Sequence, residues 1–413
     1  MLYHTNMSIE SIKDIRDKTD RELVELLQDL VRIPSWFPDD PGEEHLRAVQ
    51  NENQVVNYLE QWLKENTTLE IERQKLDGGR YNLIAIKGKP DLLFLAHTDT
   101  VRPSEDVLYD QFAAKIHDSK IWGRGTVDMK SGIASMIQAI QLSPNIDNFM
   151  IVLYADEEYR FLGMRSFIRD YGDVRPKLIV SSDGSDLKFA HGCRGLIEFR
   201  ARVIGETGHP ARGTGQSAIL GAFQGLDKLQ KYLTSFTHPV MGGTSFNIGG
   251  FLGGSKLPDS ISQNGILLKT AMPGNVVPDI AEFVVDIRPA STDLTPDKAI
   301  QVLKDYFAES GYGFEVISKR HNYGAWYTEL EDVKKFIEIA KKVTGNTSIE
   351  IENPGKSGYV DLQMIWEKVG TPPAFIFGGG VGDTAHKPNE HIPIENLIKE
   401  RDFFIKVLQR QNS

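Results

Sequence analysis

Four apolar runs of strand length, "LLFLAH" (92–97), "MIVLYAD" (150–156), "KLIVSSD" (177–183) and "PAFIFGG" (373–379), alternate with helical patterns along the chain. Strands joined through helices pair in parallel and are buried on both faces, so they stay continuously apolar instead of alternating. The intervening patterns are amphipathic. "VVNYLEQWL" sets Val55, Val56, Leu59, Trp62 and Leu63 on one stripe, and the stretch after "GTVDMKSG" does the same with Ile133, Met136, Ile137 and Ile140. "TDRELVELLQDLV" opens with a capping-box pattern, Thr19 followed by Glu22. The fold class this predicts is α/β, with a mostly parallel sheet.

Between about Leu196 and Arg320 the pattern changes. "GLIEFRARVIG", "GILLKTAM", "IAEFVVDIRP" and "GFEVISKR" read as strands, with helices over "SAILGAFQGLDKLQKYL" and "TPDKAIQVLKDYFAES". The order β-α-β-β-α-β predicts a ferredoxin-like α+β unit inserted into the first domain. At 413 residues two domains are expected. We place them at 1–195 with 321–413, and at 196–320.

The apolar runs end in acids and histidines. "YADEEYR" closes its run with Asp156, Glu157 and Glu158 side by side, an arrangement that like-charge repulsion and desolvation both oppose. In "LFLAHTDTV" His97 and Asp99 share a strand face, as a metal ligand and an orienting acid would, or as a merely polar strand end. Asp128 precedes a helix in "WGRGTVDMKSG" and reads either as an N-cap or as a carboxylate between two cations. Asp183 ends "KLIVSSD" as a turn residue or a ligand, and His386 lies in the Gly-rich "FGGGVGDTAHKPNE", where a solvated His is the alternative. Open α/β sheets bind ligands beyond the carboxyl ends of their strands, and all these residues sit at such ends. Two His and several carboxylates gathered there require positive charge, which two divalent cations supply as +4. Mixed imidazole–carboxylate ligation favours Zn2+, with Co2+ or Mn2+ as substitutes.

Composition narrows the alternatives. A net charge of −10 argues against a nucleic-acid partner, and no apolar run is long enough to span a membrane. The first residues lack an apolar h-region, and the single cysteine, Cys193, fits a reducing, cytoplasmic setting. Neither a GxxxxGK[ST] loop nor a GxGxxG turn next to a strand is present.

The pieces "LVRIPS", "AHTDTV", "GRGTVDMKSG", "DEE", "HGCRG", "GHPARGTGQSAI", "GNVVPD…DIRP" and "AHKPNE" together resemble the M20 family of metallopeptidases and deacylases over nearly the whole chain. The resemblance implies that His97 and Asp183 hold one metal, Glu158 and His386 the other, and that Asp128 bridges them. Asp99 would orient His97. Glu157 would be the general base, and a cis peptide would follow Asp128. The domain of 1–195 and 321–413 would be catalytic, and the insert would be a lid with hinges near 196 and 320 and a surface for a homodimer, a monomer being the alternative. His209 would stabilise the oxyanion. Asn275 and Arg288 would hold a substrate carboxylate; for Arg288 a strand-end salt bridge is the other reading.

The implied reaction is hydrolysis of an amide in an N-acyl amino acid or short peptide with a free carboxylate. A two-zinc aminopeptidase or dipeptidase, and a metal-binding scaffold without catalysis, are the alternatives. The former lacks such an insert; the latter has no need of Glu157. The chain departs from the family after "DEE", where Tyr159, Arg160 and Phe161 replace small residues, and at Asp183, where many members have Glu. Arg160 would meet an acidic acyl group or simply face solvent. Cys193 reads as a packed core residue.

Overall fold

The computed structural model describes residues 8–38 and 52–411. Residues 1–7, on which the reading of the missing h-region partly rests, lie outside them. The chain divides into two compact units, 1–191 with 328–352 and 360–413, and 192–327 with 353–359. The second unit contains the whole of the expected insert, and the return of 353–359 to it carried no signal in the periodicity.

The first unit is built on a six-stranded sheet in the order Glu70–Lys75, Tyr81–Lys87, Phe149–Tyr154, Leu92–His97, Leu178–Ser181, Ala374–Ile376. The last four strands run parallel to one another. The first two form an antiparallel margin. Every residue of Leu92–His97 and Phe149–Tyr154 is buried, as continuous apolarity requires.

Helix Lys130–Gln141 is buried along almost its full length. Gly132 allows this closeness: a Cβ there would lie 2.6 Å from Ser182 Oγ. Helix Lys18–Arg32 buries Leu23, Val24, Leu26, Leu27, Leu30 and Val31. Truncating one such leucine to alanine costs about 2–5 kcal/mol. This helix begins earlier than the capping-box pattern suggests: Asp17 is the N-cap and accepts from the Thr19 and Asp20 amides. Its short carboxylate satisfies two free amides, so Thr19 is left inside the first turn.

The second unit is an antiparallel sheet in the order Ser245–Gly254, Ile280–Arg288, Leu196–Ile204, Gly313–Tyr323. Helices Ala218–Leu233 and Pro296–Glu309 pack on it, capped by Ser217 and Thr295. This is the expected ferredoxin-like order, with one strand corrected. Ser245–Gly254, "SFNIGGFLGG", pairs with Ile280–Arg288, whereas "GILLKTAM" makes only isolated bridges and leaves Leu268 and Met272 62% and 83% exposed. Four glycines strip the true strand of side-chain alternation, while the false one buries Leu267 alone and turns Leu268 and Met272 outward. No helix among the described residues is long and apolar enough to cross a membrane.

Candidate metal centre

The parallel register aligns the strand ends that matter. His97 is opposite Tyr154, and Leu95 is opposite Ser181. Asp99, the 156–158 turn and Asp183 therefore emerge along one edge of the sheet. Asp128 reaches the same edge from the loop before helix Lys130–Gln141. The N-cap position is Met129, with no side-chain cap, so Asp128 is not an N-cap, and the Asp128–Met129 peptide is cis.

Asp128 has an imidazole on each oxygen. His97 Nε2 lies 2.7 Å from Oδ1, and His386 Nε2 lies 2.9 Å from Oδ2 and 3.1 Å from Glu158 Oε1. Asp128, Glu158 and His386 each offer a ligand atom within 4.8 Å of the others.

The electrostatics are those of a site short of positive charge. Burial, then the Asp128 charge, lifts Asp183 to about 7 and also raises Glu158, while His386 pulls Glu158 back in part. Burial opposes protonation of His97, but the Asp128 and Asp99 carboxylates outweigh it and hold His97 well above its ordinary value. Hydrogen bonds to Asp128 and Glu158 raise His386 to about 10. Both imidazoles are thus pushed toward their protonated forms by the surrounding carboxylates. Divalent cations on either side of Asp128 would supply more charge and displace those protons, so the donor set fits a metal centre.

The acidic turn resolves into three different environments. Asp156 points inward, fully buried, with its carboxylate on Arg80 at 2.9 Å. Arg80 also meets buried Glu52 at 3.1 Å and lies 4.1 Å above the Phe37 ring. Asp156 holds a positive φ, and its carbonyl and carboxylate accept from the Phe161 and Leu162 amides. A Cβ at Gly163 would lie 2.2 Å from Ala155 O, so only glycine lets helix Leu162–Tyr171 start this close to the strand end. The Asp99 carboxylate accepts the Glu157 and Glu158 amides, both at 3.0 Å. His97 Nδ1 lies 3.1 Å from the Asp99 carbonyl and 3.5 Å from its carboxylate. Asp99 therefore faces His97 mainly through its main chain, and its carboxylate fixes the turn.

Glu157 is raised well above the usual carboxylate range by burial and then by Asp361, with His97 acting against both. Asp361 is buried and belongs to no motif; "GYVD" gives no sign of it. Neither Asp156 nor Glu52 is visible as a partner of Arg80, because charge pairing across 76 and 28 residues leaves no periodic trace.

The second unit carries the other three candidates. His209 and Asn275 are exposed, on loops joined by the Val277 amide donating to the Gly208 carbonyl. Arg288 forks onto Asp286 at 2.8 and 3.0 Å, the salt bridge that was its alternative reading. Cys193 is buried, and Arg160 is exposed with its guanidinium 5.7 Å from the Phe37 ring centre.

An open α/β sheet with carboxylates and imidazoles assembled past its strand ends defines a metal-dependent hydrolase. The chain belongs to the peptidase family M20/M25/M40, whose model matches residues 93–410. An acetylornithine deacetylase of Shigella sonnei is 25% identical over 408 residues, 93% of this chain and 96% of that protein. The fold matches an M20 family metallo-carboxypeptidase of Sulfolobus solfataricus at a TM-score of 0.67 and 18% identity, covering 95% of this chain and 99% of that one. It also matches the YXEP protein of Bacillus subtilis, a dinuclear metal binding peptidase, at 0.63 and 17%, with the same coverage.

Proposed function

We propose that this hydrolase cleaves the amide bond of an N-acyl amino acid or short peptide bearing a free carboxylate. His97 and Asp183 would hold one Zn2+, Glu158 and His386 a second, with Asp128 between them. Such a pair of cations polarises a scissile carbonyl and makes water acidic enough to attack near neutral pH. The observation that carries the reading is Asp128, with one imidazole on each oxygen.

Glu157 takes the proton of the attacking water and delivers it to the leaving amine. Nearby cations favour its ionised form, reversing the rise that burial and Asp361 impose. Asp99 keeps Glu157 aimed by holding its amide. His209 is assigned to the oxyanion and Asn275 with Arg288 to the substrate carboxylate, on the motif match. Arg288 must exchange Asp286 for the substrate, a like-for-like swap of bidentate carboxylates.

A homodimer through the second unit is supported by its unpaired margin, strand Ser245–Gly254, beside the exposed Leu220, Phe223 and Ile248. The single buried cysteine supports a cytoplasmic site of action.

The test is a panel of N-acetyl and N-succinyl amino acids and dipeptides, assayed on metal-stripped protein reloaded with Zn2+, Co2+ or Mn2+. Metal-dependent release of the amino acid is expected. No turnover of any member with any metal contradicts the proposal, and cleavage only of substrates with a free α-amino group would favour the aminopeptidase.

A further inference from the structure

Glu390 lies four residues beyond His386 and is almost fully buried. Its position is set by strand His391–Pro393, which pairs with Lys120–Trp122 and so brings the end of the His386 loop against the start of the Asp128 loop. The pairing continues one step further, where the Gly123 amide donates to the Glu390 carbonyl at 3.0 Å. The side chain then turns under the loop. Its Oε1 accepts the Val127 amide at 2.8 Å and the Asp128 amide at 3.3 Å, and its Oε2 accepts Arg124 Nη1 at 2.6 Å. Arg124, itself buried, is anchored in turn on Ser104 Oγ at 2.7 Å.

We propose that Glu390 is a positioning residue for the metal centre, fixing the main chain of Asp128 relative to His386 and thereby setting the affinity of the site for its cations. The inference rests on the metal-centre reading above. Its physical basis is that a carboxylate between two cations tolerates little displacement, and the main chain of Asp128 lies in a loop ahead of its helix. Glu390 grips that loop at the amide of Asp128 and belongs to the segment that presents His386, so one side chain couples two ligands 258 residues apart. A carboxylate suits the place because both of its oxygens accept. Gln would have to aim its amide N–H either at Arg124 or at the Val127 and Asp128 amides, donor against donor.

The test is titration of the metal-stripped full chain with Zn2+ against a chromophoric chelator. Glu390→Gln should weaken apparent binding by ~10–100-fold, the usual effect of losing a residue that orients a ligand. Adding Arg124→Met to Glu390→Gln should recover most of that loss, because the Gln nitrogen then has no donor to oppose. Should Glu390→Gln not fold, Glu390→Asp takes its place, since its shorter arm keeps the charge but cannot reach both sides; the same loss is expected. Binding within twofold of wild type in either single variant overturns the inference, as does an unchanged affinity accompanied only by a lower apo melting temperature. A wild-type chain that binds no Zn2+ defeats the metal-centre reading instead, so the two failures are distinguishable.

Discussion

Glu400, on helix Ile394–Gln411, is fully buried and makes no ion pair among the described residues. Its carboxyl is hydrogen-bonded by Ser182 Oγ and, at 3.1 Å, by Ser135 Oγ. Burial lifts it from the ordinary 4.5 to about 7, only partly offset by these bonds. Between those values the folded chain keeps a proton that the unfolded chain has released, so stability falls as pH rises. The gap of 2.5 units, 7 less 4.5, at about 1.4 kcal/mol per unit amounts to about 3 kcal/mol, lost between pH 4.5 and 7. Gln is the neutral isostere of the protonated acid, and its amide can still donate to one serine and accept from the other. In urea denaturation of metal-stripped protein at pH 5, 6, 7 and 8, Glu400→Gln should match wild type near pH 5. It should exceed wild type by about 2–3 kcal/mol at pH 8. Other buried acids, Glu52 and Asp183 among them, titrate in both proteins and cancel in the difference. Parallel pH profiles for the two proteins refute the reasoning.

Four further outcomes are expected. Arg80→Met leaves Asp156 buried without its cation and should cost about 3–5 kcal/mol in the same denaturation assay, a loss under 1 kcal/mol contradicting the pairing. Glu157→Gln should lower kcat by ~10²–10⁴ while leaving Zn2+ affinity within a few-fold of wild type, and undiminished turnover removes its role as base. Chelation should lower the melting temperature. Restoring Zn2+ to 100 times its Kd should return about 2.7 kcal/mol, more readily at pH 8 than at pH 6, because bound metal requires deprotonated ligands. Arg160→Ala should reduce kcat/KM for N-succinyl substrates more than for N-acetyl ones, and an equal effect on both assigns Arg160 to its packing on Phe37.

What the sequence made legible follows a physical divide. The buried parallel strands and their terminal acids were readable because burial on both faces writes continuous apolarity, and a polar residue breaking it is conspicuous; His97 and Asp183 stood out this way, whereas Asp128 and His386, on loops, stood out through the motifs around them. Strand Ser245–Gly254 was hidden because its glycines bury little and alternate nothing. The roles of Asp156, Asp361 and Glu390 were hidden for another reason: each depends on a partner brought close only by the fold. In "DEE" roles were legible for Glu157 and Glu158 but not for Asp156, which a single turn sends to Arg80 while its two neighbours stay at the strand end.

The sheet order has a consequence for biosynthesis. His386, which follows the edge strand Ala374–Ile376, is synthesised 258 residues after Asp128 and 289 residues after His97. Until that segment is made, the earlier acids and imidazole lack His386 across Asp128. Capture of ions by a partly made polypeptide would thereby be disfavoured, and loading of the proposed metal centre would be a late event, coupled to closure of the domain.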